Sequence, residues 1–415
     1  MKLLRRTPSW LKRAFLYLSI LGPGLITASA DNDAPGIATY SMAGSTYGYS
    51  FLWLVVVITF GEVVVQEMAA RMGAVTGKGT ADLIRERFGV RITAFAMFCL
   101  LLGNLGTTIA QFAGVAAGTE LLGVSRYLTV PLAGLLVGYL VLRGSYERVE
   151  KVLLVLCLAA LSYVITAFAI RPPWGEVFRN AVTPTFSGDP DYILAVLATI
   201  GTTITPWGIV YMQASVADKG INLRDYRFTQ MDVSFGAAWG NVVSAFIIIS
   251  TAATLYVHGI QVETAEQAAQ ALAPLAGEGA RYLFTTGLLG ASLLAASVLP
   301  LSTAYAICEA FGWERGLDHK AKDAPIFYGL YVGIILLSVG IVLIPGIPLF
   351  PIMWLSQALN AILLPVLLIL VLKLVNNHRV MGDWVNRRWQ NMFAWGLTGL
   401  IALVTLAMLT SPLLT

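Results

Sequence analysis

Eleven long apolar segments run through this chain of 415 residues, and they constrain its fold more than any other feature. An apolar helix of about 20 residues spans the roughly 30 Å hydrocarbon core of a bilayer. Only 12% of the residues are charged, whereas soluble domains carry about 25%, and the mean hydropathy is +0.75. This composition excludes a cytosolic enzyme, a disordered chain and a secreted disulfide-bonded scaffold. The predicted spans are 15–44, 49–72, 91–119, 127–143, 149–170, 191–217, 231–257, 282–311, 326–345, 349–373 and 389–411.

The basic residues are distributed unevenly between the loops. With the N-terminus placed inside, the external loops hold only Arg126, Arg171, Arg179 and Arg281, which leaves 23 of the 27 on the cytoplasmic side. This asymmetry obeys the positive-inside rule. The sequence therefore predicts a multi-pass protein of the plasma (inner) membrane, with a cytoplasmic N-terminus, an extracellular or periplasmic C-terminus and no separate soluble domain.

The first predicted span is interrupted by polar residues at mid-depth. Asp31 and Asp33 lie there beside a helix-breaking step formed by Pro35 and Gly36. Each aspartate would cost about 3 kcal/mol if it faced lipid, and proline and glycine both weaken a helix. Unwound backbone at this depth is tolerated only where it lines a cavity. We therefore expect the helix to break here and to line a site.

The sixth predicted span has a similar interruption. Pro206 and Gly208 lie at mid-depth, preceded by the hydroxyl groups of Thr202 and Thr205. Pro35 and Pro206 thus occupy corresponding places in the first and sixth segments. The helix breaks are assigned to Pro35, Gly36, Pro206 and Gly208.

Segments one to five and six to ten form halves of opposite orientation, because each half has an odd number of spans. Paired broken helices in inverted halves mark the substrate site of a secondary transporter that works by alternating access. The prediction is an all-α integral membrane protein with 11 transmembrane helices, arranged as an inverted 5+5 repeat plus one extra helix. Its boundaries are a first repeat at 1–170, a second repeat at 191–373 and the extra helix at 389–411.

The two breaks offer carboxylate and neutral oxygen atoms but no cysteine, methionine or histidine. This donor set suits hard divalent cations and repels an anionic substrate. An amino acid or another organic solute is the alternative substrate, since related sites hold a carboxylate at helix N-termini. No nucleophile–base set, resident cofactor or nucleic-acid site is indicated, so the chain is not predicted to be an enzyme. The expected partners are divalent ions and the lipid bilayer, and the spans are compatible with a monomer.

Polar residues of the second and tenth spans extend the set of candidates. Glu62 has no obvious partner and is predicted to line the inner vestibule. Glu67 and Arg71 are spaced i, i+4 and are predicted to form an ion pair. Gln357 and Asn360 either face the cavity or hydrogen-bond between helices.

Several motifs resemble the Nramp family of divalent-metal transporters, over most of the chain. That family has the LeuT-type inverted-repeat fold, which agrees with the architecture predicted above. The matching residues are Gly22-Pro23, Tyr47-Gly48-Tyr49-Ser50-Phe51-Leu52-Trp53, Gln66, Gly73, Thr76-Gly77-Lys78, Arg85-Glu86-Arg87, Ser356-Gln357-Ala358 and Leu364-Pro365.

The chain departs from the family pattern at the functional positions. The family's Asp-Pro-Gly-Asn motif falls on 33–36, so that the metal-binding aspartate is Asp33 and the asparagine is replaced by Gly36. The Met-Pro-His motif falls on 205–207, with Thr205 in place of the thioether and Trp207 in place of the histidine. Two acidic residues of the family's third span fall on Thr108 and Gln111. Thr108, Gln111 and Trp207 are therefore lost proton-relay positions.

These departures resemble the Nramp-related magnesium transporters. The resemblance implies uptake of a partly hydrated Mg²⁺, with Mn²⁺ as a second substrate, and no coupling to protons. A proton-coupled Mn²⁺/Fe²⁺ symporter of the Nramp type is the alternative. The implied metal site comprises Ala30, Asp31, Asp33, Gly36, Thr202, Thr205 and Gln357.

Overall fold

A computed structural model describes residues 32–142, 158–221, 223, 226–317 and 320–414. Its regular structure is helical, and no strand occurs within these ranges. The α-helices are α1 (Ala34–Tyr47), α2 (Leu52–Thr76), α3 (Thr80–Leu121), α4 (Arg126–Leu142), α5 (Leu161–Ile170), α6 (Trp174–Val182), α7 (Pro190–Thr203), α8 (Pro206–Asp218), α9 (Tyr226–Thr254), α10 (Ala265–Gln270), α11 (Ala273–Ala276), α12 (Ala280–Phe311), α13 (Pro325–Val342), α14 (Leu349–Val375), α15 (His378–Met381) and α16 (Arg388–Leu414).

Each of the eleven predicted spans overlaps at least one of these helices. Within the described ranges, eight stretches are long and apolar enough to cross a membrane. One of the eight, Ala34–Thr76, contains both α1 and α2, joined by a 3₁₀ turn at Gly48–Phe51. The beginnings of the first and fifth predicted spans lie outside the described residues, and the repeat boundaries at 170, 191, 373 and 389 stay predictions.

A glycine divides α3 into two helical parts. Gly89 has φ 77° and ψ 172°, a conformation that residues with a side chain rarely adopt. The part before Gly89 carries charged residues such as Asp82 and Arg87, whereas the part after Arg91 is mostly apolar. The predicted span at 91–119 is therefore the second part of α3, and the first part is a short charged helix at one end of it.

Close approaches between helices bring the two interrupted spans together. A Cβ atom on Gly201 of α7 would collide with the carbonyl oxygen of Gln357 and lie 2.7 Å from the backbone nitrogen of Ala361, both on α14. A Cβ atom on Gly114 of α3 would likewise collide with the side chain of Ala34 on α1. The beginning of α1 therefore lies against α3, and the end of α7 lies against α14.

Candidate functional site

Asp33 forms the N-cap of α1 and is buried, with 5% of its surface exposed. Its backbone is extended, with φ −73° and ψ −178°, and its carboxylate accepts a hydrogen bond of 2.8 Å from the backbone N–H of Gly36. Aspartate is a favoured N-cap residue. Pro35 costs no helical hydrogen bond, because backbone nitrogens in the first turn of a helix have no intrahelical acceptor. The local sequence thus starts a helix at Ala34 and holds the carboxylate at its end.

The second interruption repeats this construction. Ile204 and Thr205 are non-helical between α7 and α8, and Thr205 is the N-cap of α8. Its hydroxyl oxygen accepts a hydrogen bond of 3.3 Å from the backbone N–H of Gly208. Pro206 occupies the first helical position, where its missing N–H costs nothing.

The assignment of the helix breaks needs a correction. Pro35, Gly36, Pro206 and Gly208 lie in the first turns of α1 and α8, and the break between α7 and α8 is at Ile204–Thr205. The physical reason is that proline ends a helix only when it falls in the interior. At the first turn it begins one, and the glycine one or two residues after the proline donates its N–H to the cap.

Gln111 of α3 approaches the break in the first span. Its side-chain N–H donates a hydrogen bond to Asp33, and the residue is fully buried. Its amide oxygen is buried without a hydrogen-bond partner in the described part of the chain. The sequence indicated Gln111 only as a lost acidic position. No local signal could reveal the contact, because 78 residues separate the two side chains.

Hydroxyl groups link the two interrupted spans. The hydroxyl groups of Tyr40 on α1 and Thr203 on α7 lie 2.7 Å apart and share a hydrogen bond. The neighbouring Thr202 is 2% exposed, and its hydroxyl oxygen has no hydrogen-bond partner among the described residues. Thr203 thus holds the two spans together, whereas a ligand role for the buried hydroxyl oxygen of Thr202 stays a prediction.

Gln357 is buried on α14, beside Gly201 of α7. Its side-chain nitrogen donates to the hydroxyl of Ser356 at 3.0 Å, and its side-chain oxygen accepts from Asn360 at 3.2 Å. Asn360 also donates to the hydroxyl of Thr107 on α3 at 2.8 Å. Asn360 therefore forms a hydrogen bond between α14 and α3. The backbone carbonyl of Gln357 lies against Gly201, near the end of α7.

The other two lost relay positions do not make the contact that Gln111 makes. The hydroxyl of Thr108 donates to the carbonyl of Asn104, one turn earlier in α3, at 2.7 Å. The indole of Trp207 is 2% exposed and packs with Val298 of α12 and with Tyr211, whose ring centroid lies 5.9 Å away. Trp207 thus fills an apolar space between α8 and α12.

Glu62 is 1% exposed and lies in a polar layer between α2 and α9. Its carboxylate accepts hydrogen bonds from Gln66 at 2.7 Å and from Asn241 at 2.5 Å. One turn further along α9, Ser244 donates to Asn32 at 3.1 Å, next to Asp33 in sequence. The sequence offered no partner for Glu62, although the i, i+4 spacing to Gln66 was a usable signal. Its role at the inner vestibule stays a prediction.

Among the described residues, the first interruption thus provides the buried carboxylate of Asp33, and the second provides the hydroxyl oxygens of Thr202 and Thr205. The described ranges hold no group of three or more histidine, cysteine, aspartate or glutamate residues that could form a metal cluster. Ala30 and Asp31, two further predicted site residues of the first span, lie outside those ranges.

Comparisons with known proteins identify relatives of this chain. The sequence model described as natural resistance-associated macrophage protein-like matches residues 24–411. The divalent metal cation transporter MntH of Klebsiella pneumoniae is 26% identical over 392 residues, covering 92% of each chain. The MntH of Erwinia tasmaniensis is 29% identical over 384 residues, covering 90% of each.

Solved structures show the same fold. A histidine-to-alanine mutant of the Eremococcus coleocola manganese transporter has a TM-score of 0.79 at 21% identity, covering 98% of this chain and 89% of that one. MhsT in complex with L-phenylalanine has a TM-score of 0.63 at 16% identity, covering 94% and 98%. These likenesses confirm the predicted LeuT-type fold.

Members of the matched family are secondary transporters and not enzymes, as the sequence predicted. The family model covers nearly the whole chain and includes both interrupted spans. The chain therefore belongs to the natural resistance-associated macrophage protein (Nramp) family of multi-pass membrane transporters.

Proposed function

We propose that this protein carries divalent metal cations by alternating access and that Mg²⁺, taken up without protons, is its main substrate. The observation that carries the proposal is the contact of Asp33 with a carboxamide, that of Gln111, where a proton-coupled site would need an acid. The similar MntH proteins are named as divalent metal cation transporters, which supports the broader substrate class.

The proposed ligand set is small and consists of oxygens. Asp33 supplies charge, and Thr202 and Thr205 supply neutral oxygens, with Thr202 buried and unpartnered in the described part of the chain. Mg²⁺ sheds its waters reluctantly and is usually held by one or two carboxylates and several waters. A soft ligand, which would favour Mn²⁺ and Fe²⁺, is missing at position 205. The full proposed set is Ala30, Asp31, Asp33, Gly36, Thr202, Thr205 and Gln357.

Transport without protons follows from the side chains at the relay positions. Threonine, glutamine and tryptophan do not titrate near neutral pH, so that Thr108, Gln111 and Trp207 do not carry protons. The membrane potential supplies the driving force instead. Inward movement of a divalent ion gains about 4.6 kcal/mol per 100 mV. Inward transport fits a plasma-membrane protein with a cytoplasmic N-terminus and an external C-terminus. The proposed transporting unit is one subunit.

Proton-coupled transport of Mn²⁺ is the second candidate function. It is favoured by the likeness to the Eremococcus coleocola manganese transporter and to the MntH proteins. The buried carboxylate of Glu62, with two amide donors, would then be the residue to test as the proton carrier.

Proteoliposomes with a lumenal pH dye distinguish the two functions. We expect Mg²⁺ to enter down its gradient, faster with a negative interior, while the lumenal pH stays constant, because the relay positions do not titrate. Mn²⁺ and Ca²⁺ are measured in parallel, with protein-free liposomes as the control. Acidification that tracks ion entry would contradict uncoupled transport and support the second candidate.

Restoring the family motifs should change the selectivity. In the double variant Gly36→Asn/Thr205→Met, the ratio of Mg²⁺ to Mn²⁺ transport should fall about tenfold, which needs only about 1.4 kcal/mol of differential binding. The thioether of the introduced methionine favours Mn²⁺, the softer ion. The introduced asparagine makes the site smaller, so that the ion must lose more water, which Mg²⁺ resists more than Mn²⁺ does. The measurement is competition between the two ions in one assay.

Thr205→Ser is the matched control for this experiment. Serine keeps both the hydroxyl ligand and the N-cap of α8, so its ion ratio should equal that of the wild type. An unchanged ratio in a double variant that still transports would show that these two positions do not set selectivity.

A further inference from the structure

A cavity of about 750 Å³ lies between α2, the beginning of α9 and the residues around the start of α16. Arg71, Arg227 and Arg387 line it together with Trp384 and Trp389. It is at the end of the molecule that carries the predicted cytoplasmic loops, and the proposed transport site uses none of these residues. Its chemistry therefore calls for a separate explanation.

Arg71 at this cavity is 5% exposed and retains an unused donor. One of its terminal nitrogens lies 3.4 Å from the carboxylate of Glu67, which confirms the predicted ion pair, and also donates to Asn386. The Nε–H of Arg71 is buried and has no hydrogen-bond partner in the described ranges. Glu67, by contrast, also accepts from Tyr226 and from Gln390 at 3.1 Å. The carboxylate is thus satisfied. The second terminal nitrogen of Arg71 donates to the carbonyl oxygen of Val385 at 3.4 Å, so only its Nε–H lacks an acceptor among the described residues.

The charges around the cavity favour an anion. None of the ion pairs between described residues includes Arg227 or Arg387. With Arg71 they give three positive charges, against two negative charges from Glu67 and Asp383. The first turn of α16 carries no acidic residue, so its partial positive charge adds to this excess. Guanidinium groups bind phosphate oxygens in pairs, which makes a phosphate the best match.

The surface next to the cavity indicates where the phosphate comes from. On α16, Trp389, Met392, Trp395, Leu400 and Leu403 are exposed by 57%, 78%, 42%, 45% and 66%, and each follows the one before it by three to five residues. Such a stripe suits an acyl chain, and tryptophan is typical of the membrane interface. Basic pockets between transmembrane helices on the cytoplasmic side bind anionic lipid headgroups.

We propose that this cavity binds the phosphate headgroup of an anionic phospholipid, whose acyl chain lies along the exposed stripe of α16. Arg71, Arg227 and Arg387 contact the phosphate, and the two tryptophans, Trp384 and Trp389, lie at the level of the glycerol backbone. The bound lipid ties α2 and α9 to the start of α16.

Native mass spectrometry of the full chain, titrated with phosphatidylglycerol, tests this proposal. Each arginine near an anionic lipid strengthens binding about fivefold, so that Arg227→Gln/Arg387→Gln should weaken it about twenty-fivefold. The control Arg87→Gln/Arg91→Gln removes the same charge from exposed positions of α3 and should bind like the wild type. Equal affinity of the two double variants would overturn the proposal.

A second variant acts in the opposite direction. Asp383→Asn removes a negative charge from the cavity and should tighten phosphatidylglycerol binding about fivefold. An unchanged affinity in this variant would overturn the proposal even if the arginine variant failed to fold.

Two further arms identify the source of the phosphate. Phosphatidylcholine should bind at least about tenfold more weakly than phosphatidylglycerol, because its headgroup carries no net charge. Millimolar inorganic phosphate should not displace phosphatidylglycerol, because inorganic phosphate has no acyl chain to contact the exposed stripe of α16. Displacement of the lipid by inorganic phosphate would assign the cavity to the free anion and overturn the lipid assignment.

Discussion

Replacement of Asp33 by alanine should reduce divalent-ion flux at least about a hundredfold, to the level of protein-free liposomes. A hundredfold loss corresponds to about 2.7 kcal/mol of binding free energy, which is modest for a buried carboxylate that holds a divalent ion. Flux of Mg²⁺ into proteoliposomes, at matched protein content, measures the effect.

Asp33 also caps α1, so a structural effect must be separated from the loss of a ligand. Asp33→Ala removes the cap and should lower the free energy of unfolding by about 1 kcal/mol. Asparagine caps a helix as well as aspartate, so Asp33→Asn should retain thermal stability and still lose flux. Normal flux in Asp33→Asn would show that the charge of Asp33 is not needed to carry the ion.

The variant Gln111→Glu should make transport depend on protons. Two carboxylates within hydrogen-bond reach share one proton, because the second charge is unfavourable beside the first. The introduced pair therefore binds one proton below its shared pKa, and that proton competes with the ion. Flux should therefore fall about tenfold for each pH unit below the shared pKa, whereas wild-type flux should respond less steeply.

Flux measured between pH 5 and pH 8, with a lumenal pH dye, provides the test. Gln111→Met is the matched control, because methionine has a similar length, removes the amide and does not titrate. The control should show no steeper pH dependence than the wild type. If Gln111→Glu and Gln111→Met have the same pH profile, then the group at position 111 does not control coupling.

The membrane architecture could be predicted from the sequence because its signals are local. Hydropathy locates each span within a single segment, whereas the orientation assigned from the positive-inside rule stays a prediction. The interruptions at 30–36 and 201–208 are also local, since proline and glycine act on the turn in which they lie. The second break lies at Ile204–Thr205, just before the predicted Pro206 and Gly208, because the sequence does not distinguish a proline that ends one helix from a proline that starts the next.

The contacts of the site could not be predicted in the same way. The hydrogen bond from Gln111 to Asp33 and the one between Tyr40 and Thr203 join segments that are far apart in the sequence. Such pairs depend on helix packing, which Gly114 and Gly201 permit through the absence of a side chain. Glycine in a transmembrane helix signals close approach but does not identify the partner helix.

The hydrogen bond from Gln111 to Asp33 has a consequence for the return of the empty carrier. A uniporter must turn its unloaded site back across the membrane, and a bare buried carboxylate would resist that step. The amide N–H gives Asp33 a partner whenever the ion has left, without taking a proton from either side. A carboxamide that rotates by half a turn presents its oxygen instead, and the oxygen of Gln111 is already buried and unpartnered in the described part of the chain. In the uniport cycle proposed above, one neutral side chain would thus serve both halves, as a donor to the empty site and as an acceptor for the water shell of the loaded one.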